Sequence, residues 1–366
     1  MNRTNGYLKE DMKGVIIVGK KKEDKTYNHY VPQFYLRNFS GNNSIGFYNF
    51  DRKKFVDVAA IDKNGGRNFL YGKDNNLEDW FTNLEGKWAT IINNILTHEK
   101  VPIDSTDYTY LLMFIYLSDV RVAEKADDFK RNKLEEFKNI AKILAAQKKI
   151  SLSDNDIENL DVIIDRPNLS YIQGMTNLIP IISDLSPMII INESKLGFIT
   201  SDVPIAKYNQ WFIERGYEHP YGFGHIGFQC FVPLSPKICF CLYDDNVYKN
   251  QYSNKGRIRL YNESDVEQLN KLFIHNSYKE VYYEIGTRVW LERNVEIKSE
   301  NTAEEWIMGS PEHGYLQKIS NRSVYEIIKL PMFKTNSFFK TAPLPYNEAG
   351  PIRKAAYEKM SKWNEN

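Results

Sequence analysis

The segment that most constrains the fold of this 366-residue chain is YLLMFIYLSDVRV, residues 110–122. The residues Ser105, Thr106 and Asp107 precede it, and side chains of this type start helices by accepting hydrogen bonds from free backbone N–H groups. The helix is apolar around its whole circumference, which is typical of a helix buried on all sides. Its apolar run is far shorter than the roughly 18 residues that a membrane-spanning helix needs. We therefore predict a central core helix that other elements surround.

The segments on either side of this helix predict what packs against it. Residues 45–50 and 54–59 have the pattern of a hairpin, and short apolar strands recur between residues 186 and 245. The fold class is therefore predicted as α+β, with a helix-rich N-terminal half packed on a mainly antiparallel sheet in the C-terminal half. Spacings of three and four residues predict a second helix with one buried stripe, made of Leu77, Phe81, Leu84, Trp88, Ile91 and Ile95.

Composition narrows the class of protein. Lys and Arg number 48 against 47 Asp and Glu, a formal net charge of +1, so overall charge provides no attraction to nucleic acid or to a membrane surface. A nucleic-acid substrate would need a local basic patch. The N-terminal residues contain no apolar segment of signal-peptide type, and the three cysteines fit a reducing compartment. We expect a soluble cytoplasmic protein with no membrane partner.

No established catalytic motif occurs in the sequence: it has no phosphate-binding loop, no nucleophile elbow and no zinc-protease helix. Zinc is not expected either, because Cys230, Cys239 and Cys241 lack the paired spacing of a zinc knuckle. Candidate sites must therefore be found from individual polar residues and their positions on predicted elements.

The first candidate site is NHYVPQFYLRNFS, residues 28–40. Pro32 favours the first position of a short helix and keeps the residues before it extended. His29 would then lie just ahead of the helix, with Gln33 and Arg37 following at helical spacing. A histidine in such a place can act as a general base or bind a metal. The alternative is a core histidine that is hydrogen-bonded within the protein.

The second candidate site is TSDVP, residues 200–204, which follows the apolar strand KLGFI. It places Thr200, Ser201 and Asp202 at the end of that strand, and catalytic carboxylates often lie at such transitions from strand to loop. The alternative is a turn in which the side chains of Ser201 and Asp202 bond the local backbone.

Two further candidates lie on the predicted helices. Arg121 ends the central helix, and a guanidinium that leaves a buried helix must be paired or face a polar pocket. The alternative is an ion pair with Asp119, with Glu124 or with another neighbour. Glu78 and Glu85 are seven residues apart and share one face at the border of the apolar stripe. Such carboxylates either reach a cleft or remain solvated.

These candidate residues coincide with a resemblance to a bacterial family catalogued as domain of unknown function 4238. The stretch HYVPQFYLRNF resembles the family's opening signature, His-Tyr-Val-Pro-Gln-x-Tyr-Leu-x-x-Phe. TSDVP resembles its Thr-Ser-Asp-x-Pro element, although Val203 stands where we expect Asn more often. The resemblance continues in LEDWFTNLEGKW with Glu78 and Glu85, in FIYLSDVR with Arg121, in PLSP at residues 233–236, and in VEQLNKL with Asn270.

The resemblance covers roughly residues 27–285 and implies a shared fold, but it supplies no reaction. It divides the chain into a loosely ordered segment of residues 1–26, a single α+β domain of residues 27–285, and a C-terminal extension of residues 286–366 packed on that domain. A set of His, Glu, Arg, Ser and Asp side chains is nevertheless typical of a polar active site.

We therefore expect a hydrolase, a nuclease or other phosphodiesterase, in a toxin or phage-defence setting, with nucleic acid or a nucleotide as its partner. The alternatives are a non-catalytic sensor or interaction module that binds a nucleotide or a protein, and a structural partner of a neighbouring protein. The oligomeric state is left open. The cofactor expected is Mg²⁺ or Mn²⁺, which prefer oxygen ligands. The residues expected are His29, Gln33, Arg121, Ser201 and Asp202 for catalysis, Arg37, Thr200 and Asn270 for substrate binding, and Glu78, Glu85 and Asp202 for the metal.

Overall fold

The computed structural model has a mixed α/β fold with several antiparallel sheets. The expectation of loose order in residues 1–26 lies outside the residues that the structure describes. Among those described, no helix is both long enough and apolar enough to span a bilayer. The described residues are 27–41, 43–71, 76–148, 153–161, 172, 179–215, 222–250, 256–297, 302–308, 316–322 and 328–341.

The short helix α1, Gln33–Arg37, follows the first strand among the described residues. That strand, β1, Tyr27–His29, pairs antiparallel with β4, Gly66–Asn68. His29 therefore lies on extended backbone just ahead of a helix, as predicted. Pro32 is the N-cap residue rather than the first helical residue, because its backbone is still extended.

Three long helices follow: α2, Asn76–His98; α3, Ser105–Val120; and α4, Ala123–Lys148. The side chain of Asp104 caps α3 by accepting hydrogen bonds from the backbone N–H groups of Thr106 (2.8 Å) and Asp107 (3.0 Å). The second half of α3 is buried on all sides, which confirms the prediction of a central helix. All six residues of the predicted stripe on α2 are buried as well.

The first large sheet has four strands in the order β3-β2-β12-β6. Its strands are β2, Ser44–Asn49; β3, Lys54–Ala60; β6, Thr200–Ser201; and β12, Glu280–Tyr283. The pairing of β2 with β3 confirms the predicted hairpin. The sheet combines strands from both halves of the chain, so the division into a helical half and a strand half is less sharp than expected.

The second large sheet has five strands in the order β11-β5-β9-β8-β7. All its pairs are antiparallel except the parallel pair of β11 with β5. Most of it lies in the range predicted to form an antiparallel sheet. Its strands are β5, Ser186–Asn192; β7, Ala206–Tyr208; β8, Gln229–Pro233; β9, Ile238–Tyr243; and β11, Arg257–Leu260.

Each face of the five-stranded sheet contributes to a different core. Ile189 and Ile191 face α1, α2 and α3, whereas Met188 and Ile190 face the other way, as the alternation of side chains along a strand requires. The second face is covered by α7, Glu263–Asn276, and by residues 328–341. The three cysteines are buried free thiols, and burial raises the pKa of each, so they are poorly reactive.

The remaining described elements are short or belong to the C-terminal part. The indole N–H of Trp211 donates to the Phe339 carbonyl (2.6 Å) and the Tyr208 hydroxyl donates to the Ile328 carbonyl (2.6 Å), so this part of the extension packs on the domain. The elements are α5, Asp154–Glu158; α6, Gln210–Glu214; α8, Arg288–Asn294; α9, Ser337–Thr341; the pair β10, Tyr248–Asn250, with β15, Phe333–Thr335; and the hairpin β13, Thr302–Met308, with β14, Leu316–Arg322.

One buried hydroxyl joins α1 to both large sheets. Tyr35 is fully buried, and its hydroxyl donates to the carbonyl of Pro233 at the end of β8 (2.5 Å). The same oxygen accepts a hydrogen bond from the Thr200 hydroxyl on β6 (2.7 Å). Because buried polar groups are costly when unpaired, this contact fixes how α1 sits on the sheets.

We predict that Tyr35→Phe lowers the free energy of unfolding by about 1–3 kcal/mol, since it leaves the buried Pro233 carbonyl without its donor. Tyr108→Phe is the matched control, because the buried Tyr108 hydroxyl has no hydrogen-bond partner among the described residues. Urea denaturation measures both. Equal stabilities for the two variants would contradict this role of the Tyr35 hydroxyl.

Candidate functional site

The imidazole of His29 is half-buried and is oriented by a backbone carbonyl. Its Nε2 lies 3.1 Å from the carbonyl oxygen of Asp62. A carbonyl oxygen only accepts hydrogen bonds, so Nε2 carries the proton and Nδ1 is left as the acceptor. Burial lowers the pKa of His29 below its ordinary value of 6.5, although the Asp62 carbonyl and the Glu85 carboxylate oppose the shift. His29 is therefore a neutral imidazole at pH 7.

Gln33 and Arg37 extend from His29 along α1. The side-chain amide nitrogen of Gln33 lies 3.3 Å from Nε2 and 3.4 Å from Nδ1 of His29. Because Nε2 carries the proton, the amide donates to Nδ1. The amide oxygen of Gln33 accepts a hydrogen bond from Nη2 of Arg37 (2.9 Å). Arg37 is exposed. The three side chains, spaced four residues apart, thus form one hydrogen-bonded row from a half-buried imidazole to a solvated guanidinium.

Arg121 ends α3 beside His29 and is only 2% exposed. Its Nη1 donates to Oε1 of Glu85 (2.9 Å), its Nη2 to the carbonyl of His29 (2.5 Å), and its Nε to the hydroxyl of Tyr71 (3.1 Å). The guanidinium also lies over the ring of Phe81, 4.0 Å from its centre. Its ion pair is with Glu85, so the alternative of an ion pair with a neighbour describes Arg121, and the partner is neither Asp119 nor Glu124.

Glu85 and Glu78 place two carboxylates of α2 near His29. Glu85 is partly exposed and pairs with Arg121. Oε2 of Glu78 accepts a hydrogen bond from the side-chain amide of Asn28 at 3.4 Å. The structure thus links His29, Gln33, Arg37, Glu85 and Arg121 by hydrogen bonds, and Glu78 bonds Asn28, the residue before His29. We call these six residues the histidine cluster.

Asp202 has a different set of contacts. It is fully buried, and its carboxylate accepts hydrogen bonds from three consecutive backbone N–H groups: Tyr278 (2.9 Å), Lys279 (2.6 Å) and Glu280 (3.1 Å). These bonds hold the turn that leads into β12. Asp202 thus bonds backbone, as in the turn alternative for TSDVP, but the backbone of a distant turn rather than the local one; several backbone donors on one carboxylate stabilise its charge and fix that turn.

Three other candidates also bond the protein itself. The Ser201 hydroxyl donates to the Val203 carbonyl (2.7 Å) and accepts from the Val203 N–H (3.1 Å). Thr200 bonds Tyr35, as described above. The Asn270 side chain accepts from the Ile199 N–H (3.0 Å) and donates to the Gly197 carbonyl (2.9 Å). These residues hold strand ends and loops in place, and none of these hydrogen bonds is to the histidine cluster.

The carboxylates expected to share a metal have separate partners in the structure. Glu85 pairs with Arg121, and Asp202 bonds backbone N–H groups. In the described ranges, no group of three or more His, Cys, Asp or Glu side chains is arranged to hold a metal ion. Glu85 is joined to His29 through Arg121, and Glu78 bonds the neighbouring Asn28; a metal proposal rests on these two carboxylates.

Sequence reasoning missed Tyr71 and one buried ion pair. Tyr71 is buried and accepts from Arg121, but an isolated tyrosine after a glycine pair gives no signal in the sequence. The carboxylate of Asp119, at the end of α3, pairs with Lys125 and with Lys207 of β7 (3.1 Å). Although burial opposes its charge, the two ammonium groups lower the pKa of Asp119 to about 2.

Comparison with known proteins gives one match. The family model described as "Protein of unknown function (DUF4238)" matches residues 27–287, which is more than half of the chain and nearly the range expected from the resemblance. No curated protein and no solved structure matches this chain.

We predict that His29 makes the protein less stable as the pH falls through 6.5. The pKa of His29 is lower in the folded state. At pH values between the folded-state pKa and 6.5, the unfolded chain therefore binds more protons than the folded chain, and the free energy of unfolding rises with pH. The free energy of unfolding should therefore fall less between pH 7 and pH 5 in His29→Gln than in the wild type. His98→Gln, at an exposed histidine, is the matched substitution for comparison. A steeper slope in His29→Gln would contradict a lowered pKa.

We predict that Asp202→Asn lowers the free energy of unfolding by about 1–3 kcal/mol, since one acceptor oxygen is replaced by an amide that faces backbone donors. Asp128→Asn is the control, because Asp128 forms a solvent-exposed ion pair with Arg131 of a kind that contributes about 0–1 kcal/mol. Thermal and urea denaturation measure the difference. An Asp202→Asn protein as stable as the control would show that Asp202 does not hold the turn.

Proposed function

The chain belongs to this family of unknown function, and from the geometry of the histidine cluster we propose that it is a hydrolase that cleaves phosphodiester bonds in nucleic acid or nucleotides. The observation that carries the proposal is the neutral imidazole of His29, whose Nε2 is held by the Asp62 carbonyl (3.1 Å). A neutral imidazole with Nε2 fixed and Nδ1 as its acceptor nitrogen is suited to taking a proton from a water that takes the place of the Gln33 amide at Nδ1.

Within this proposal, each member of the cluster has a role that follows from its contacts. Nδ1 of His29 is the general base. The amide of Gln33, 3.4 Å from Nδ1, orients the attacking water or a substrate oxygen. Glu78 and Glu85 supply carboxylate oxygens of the type that Mg²⁺ and Mn²⁺ prefer, and such a metal would polarise the phosphoryl group.

The charge that binds the substrate phosphate is assigned to Arg37 rather than to Arg121. Arg37 is exposed and hydrogen-bonded to Gln33, so it can reach a phosphate while remaining next to the imidazole. The guanidinium of Arg121 is buried and bonds Glu85, Tyr71 and the His29 carbonyl. An arginine fork on a phosphate is a strong, directional contact, and it supplies part of the local basic patch that a neutral chain needs for a nucleic-acid substrate.

A nuclease with this site fits a cytoplasmic toxin or phage-defence protein, in which the substrate is nucleic acid of the cell or of the phage. Growth arrest on overexpression, or protection against phage, is the cellular readout of that proposal.

A second candidate function is nucleotide or protein binding without catalysis. The observation that favours it is that Arg121, Ser201 and Asp202 all form hydrogen bonds within the protein. In this case Arg37 would bind an anionic ligand, and His29 would be dispensable. This function would be supported over hydrolysis if the wild type binds a nucleotide without turnover, Arg37→Ala abolishes that binding and His29→Ala leaves it intact.

We predict that His29→Ala reduces phosphodiester cleavage by about 100-fold or more, the usual contribution of a general base, while the melting temperature changes little. The substrates are bis(4-nitrophenyl) phosphate, single- and double-stranded DNA, and RNA, each with Mg²⁺, Mn²⁺ or EDTA. His98→Ala is the matched control, because His98 is exposed at the end of α2, and it should retain full activity.

The pH profile adds an independent check. Because His29 must be neutral to act as a base, the rate should fall on the acid side at a pH below 6.5. A His29→Ala protein that is unstable but still cleaves the substrate would remove His29 from catalysis and make the motif at residues 28–40 a packing element.

A further inference from the structure

The contact between Arg121 and His29 is made to the backbone of the histidine and not to its imidazole. Nη2 of Arg121 donates to the His29 carbonyl oxygen at 2.5 Å. The side chain of Arg121 is 1% exposed, so ligands from solvent do not compete for this bond. A buried guanidinium fixed on three sides is a rigid donor, because its planar fork has few free rotations.

The backbone that follows His29 is held by the turn between residues 61 and 66. The backbone N–H groups of Tyr30 and Val31 both donate to the carbonyl of Gly65 (2.9 Å each). Gly65 has a φ of +66°, and a Cβ added there would lie 2.9 Å from Cβ of Val31, so only glycine fits. The same turn carries the Asp62 carbonyl that holds Nε2 of His29.

Tyr71 fixes the orientation of Arg121. Its hydroxyl accepts from Nε of Arg121 at 3.1 Å and lies 3.5 Å from the His29 carbonyl. Its ring stands against the ring of Phe81, with 5.3 Å between the ring centres. Removal of the hydroxyl alone would therefore release one of the three contacts of the guanidinium and leave the packing of the ring intact.

We infer that Arg121 and Tyr71 are positioning residues for His29: together they hold its backbone carbonyl against the turn of residues 61–66, so that Nε2 of the imidazole stays on the Asp62 carbonyl and Nδ1 is the acceptor. Neither residue touches the substrate in this scheme. The catalytic meaning of this arrangement rests on the proposed function, but the orientation of the imidazole does not.

The charged and titratable groups around His29 determine what a loss of positioning would do. They are the Glu85 carboxylate and the Arg121 guanidinium, with Asp62 on the turn, and the ring of Tyr27 stands edge-on to the imidazole at 5.1 Å. Arg121→Lys keeps the positive charge but not the fork, and Tyr71→Phe keeps all charges. A change in the tautomer of the His29 imidazole in either variant therefore results from altered geometry rather than from altered net charge.

The test is nitrogen NMR of the His29 imidazole in the full-length protein labelled with ¹⁵N-histidine. We expect the wild type to show the tautomer with the proton on Nε2, and Tyr71→Phe and Arg121→Lys to show both tautomers in exchange. Tyr108→Phe, which removes a hydroxyl with no hydrogen-bond partner in the described ranges, should match the wild type. If Arg121→Lys does not fold, Tyr71→Phe alone decides the matter. A wild-type tautomer in Tyr71→Phe would overturn the inference.

If the protein is a hydrolase, kcat of Tyr71→Phe should fall on the order of tenfold or more with KM nearly unchanged, since small displacements of a catalytic group lower the rate without weakening binding. The two proposals fail separately. If Tyr71→Phe alters the His29 tautomer but the wild type has no phosphodiesterase activity, the positioning role is supported and the hydrolase is contradicted. If the wild type is active but Tyr71→Phe changes neither the His29 tautomer nor kcat, the hydrolase is supported and the positioning role is contradicted.

Discussion

The buried guanidinium of Arg121 is the contact on which the candidate site depends. It stands at the end of the central helix α3 and binds the β1 backbone at His29, the α2 carboxylate of Glu85, and the hydroxyl of Tyr71. A buried positive charge is tolerated only where acceptors surround it. The positions of α2, α3 and β1 are therefore coupled, and the half-buried imidazole at the end of β1 is a consequence of that coupling.

Other buried polar side chains join the helices to the two large sheets and hold the turns of the sheets. Tyr35 links α1 to Thr200 and Pro233, Asp202 holds the turn into β12, and Lys207 of β7 reaches Asp119 of α3. Each of these bonds is buried or half-buried, so each is far more costly to break than a surface contact. They determine how the elements are arranged, whereas Arg37 of the histidine cluster is exposed and His29 and Glu85 are partly exposed.

The elements with a clear period were predictable from the sequence. The all-apolar run in α3, the stripe on α2 and the β2–β3 hairpin each have local signals. The joining of β2 with β12 depends on contacts between residues more than 200 positions apart, such as Tyr48 with Val281, and no local pattern encodes them. For the site, sequence reasoning chose residues by type and element end. It named His29, Arg121 and the two glutamates as separate candidates and expected Asp202 to join His29 and Arg121, because it had no means of seeing that Asp202 faces three backbone N–H groups.

The most direct test of the account is the titration of His29 in the wild-type protein, followed by NMR of its imidazole between pH 4 and pH 9. The account predicts a neutral ring at pH 7, with a pKa below the ordinary value of 6.5, because burial and Arg121 outweigh the Glu85 carboxylate. A His29 that remains protonated above pH 6.5 would show that it is an imidazolium paired with Glu85. That result would contradict both the general base and the site built around it.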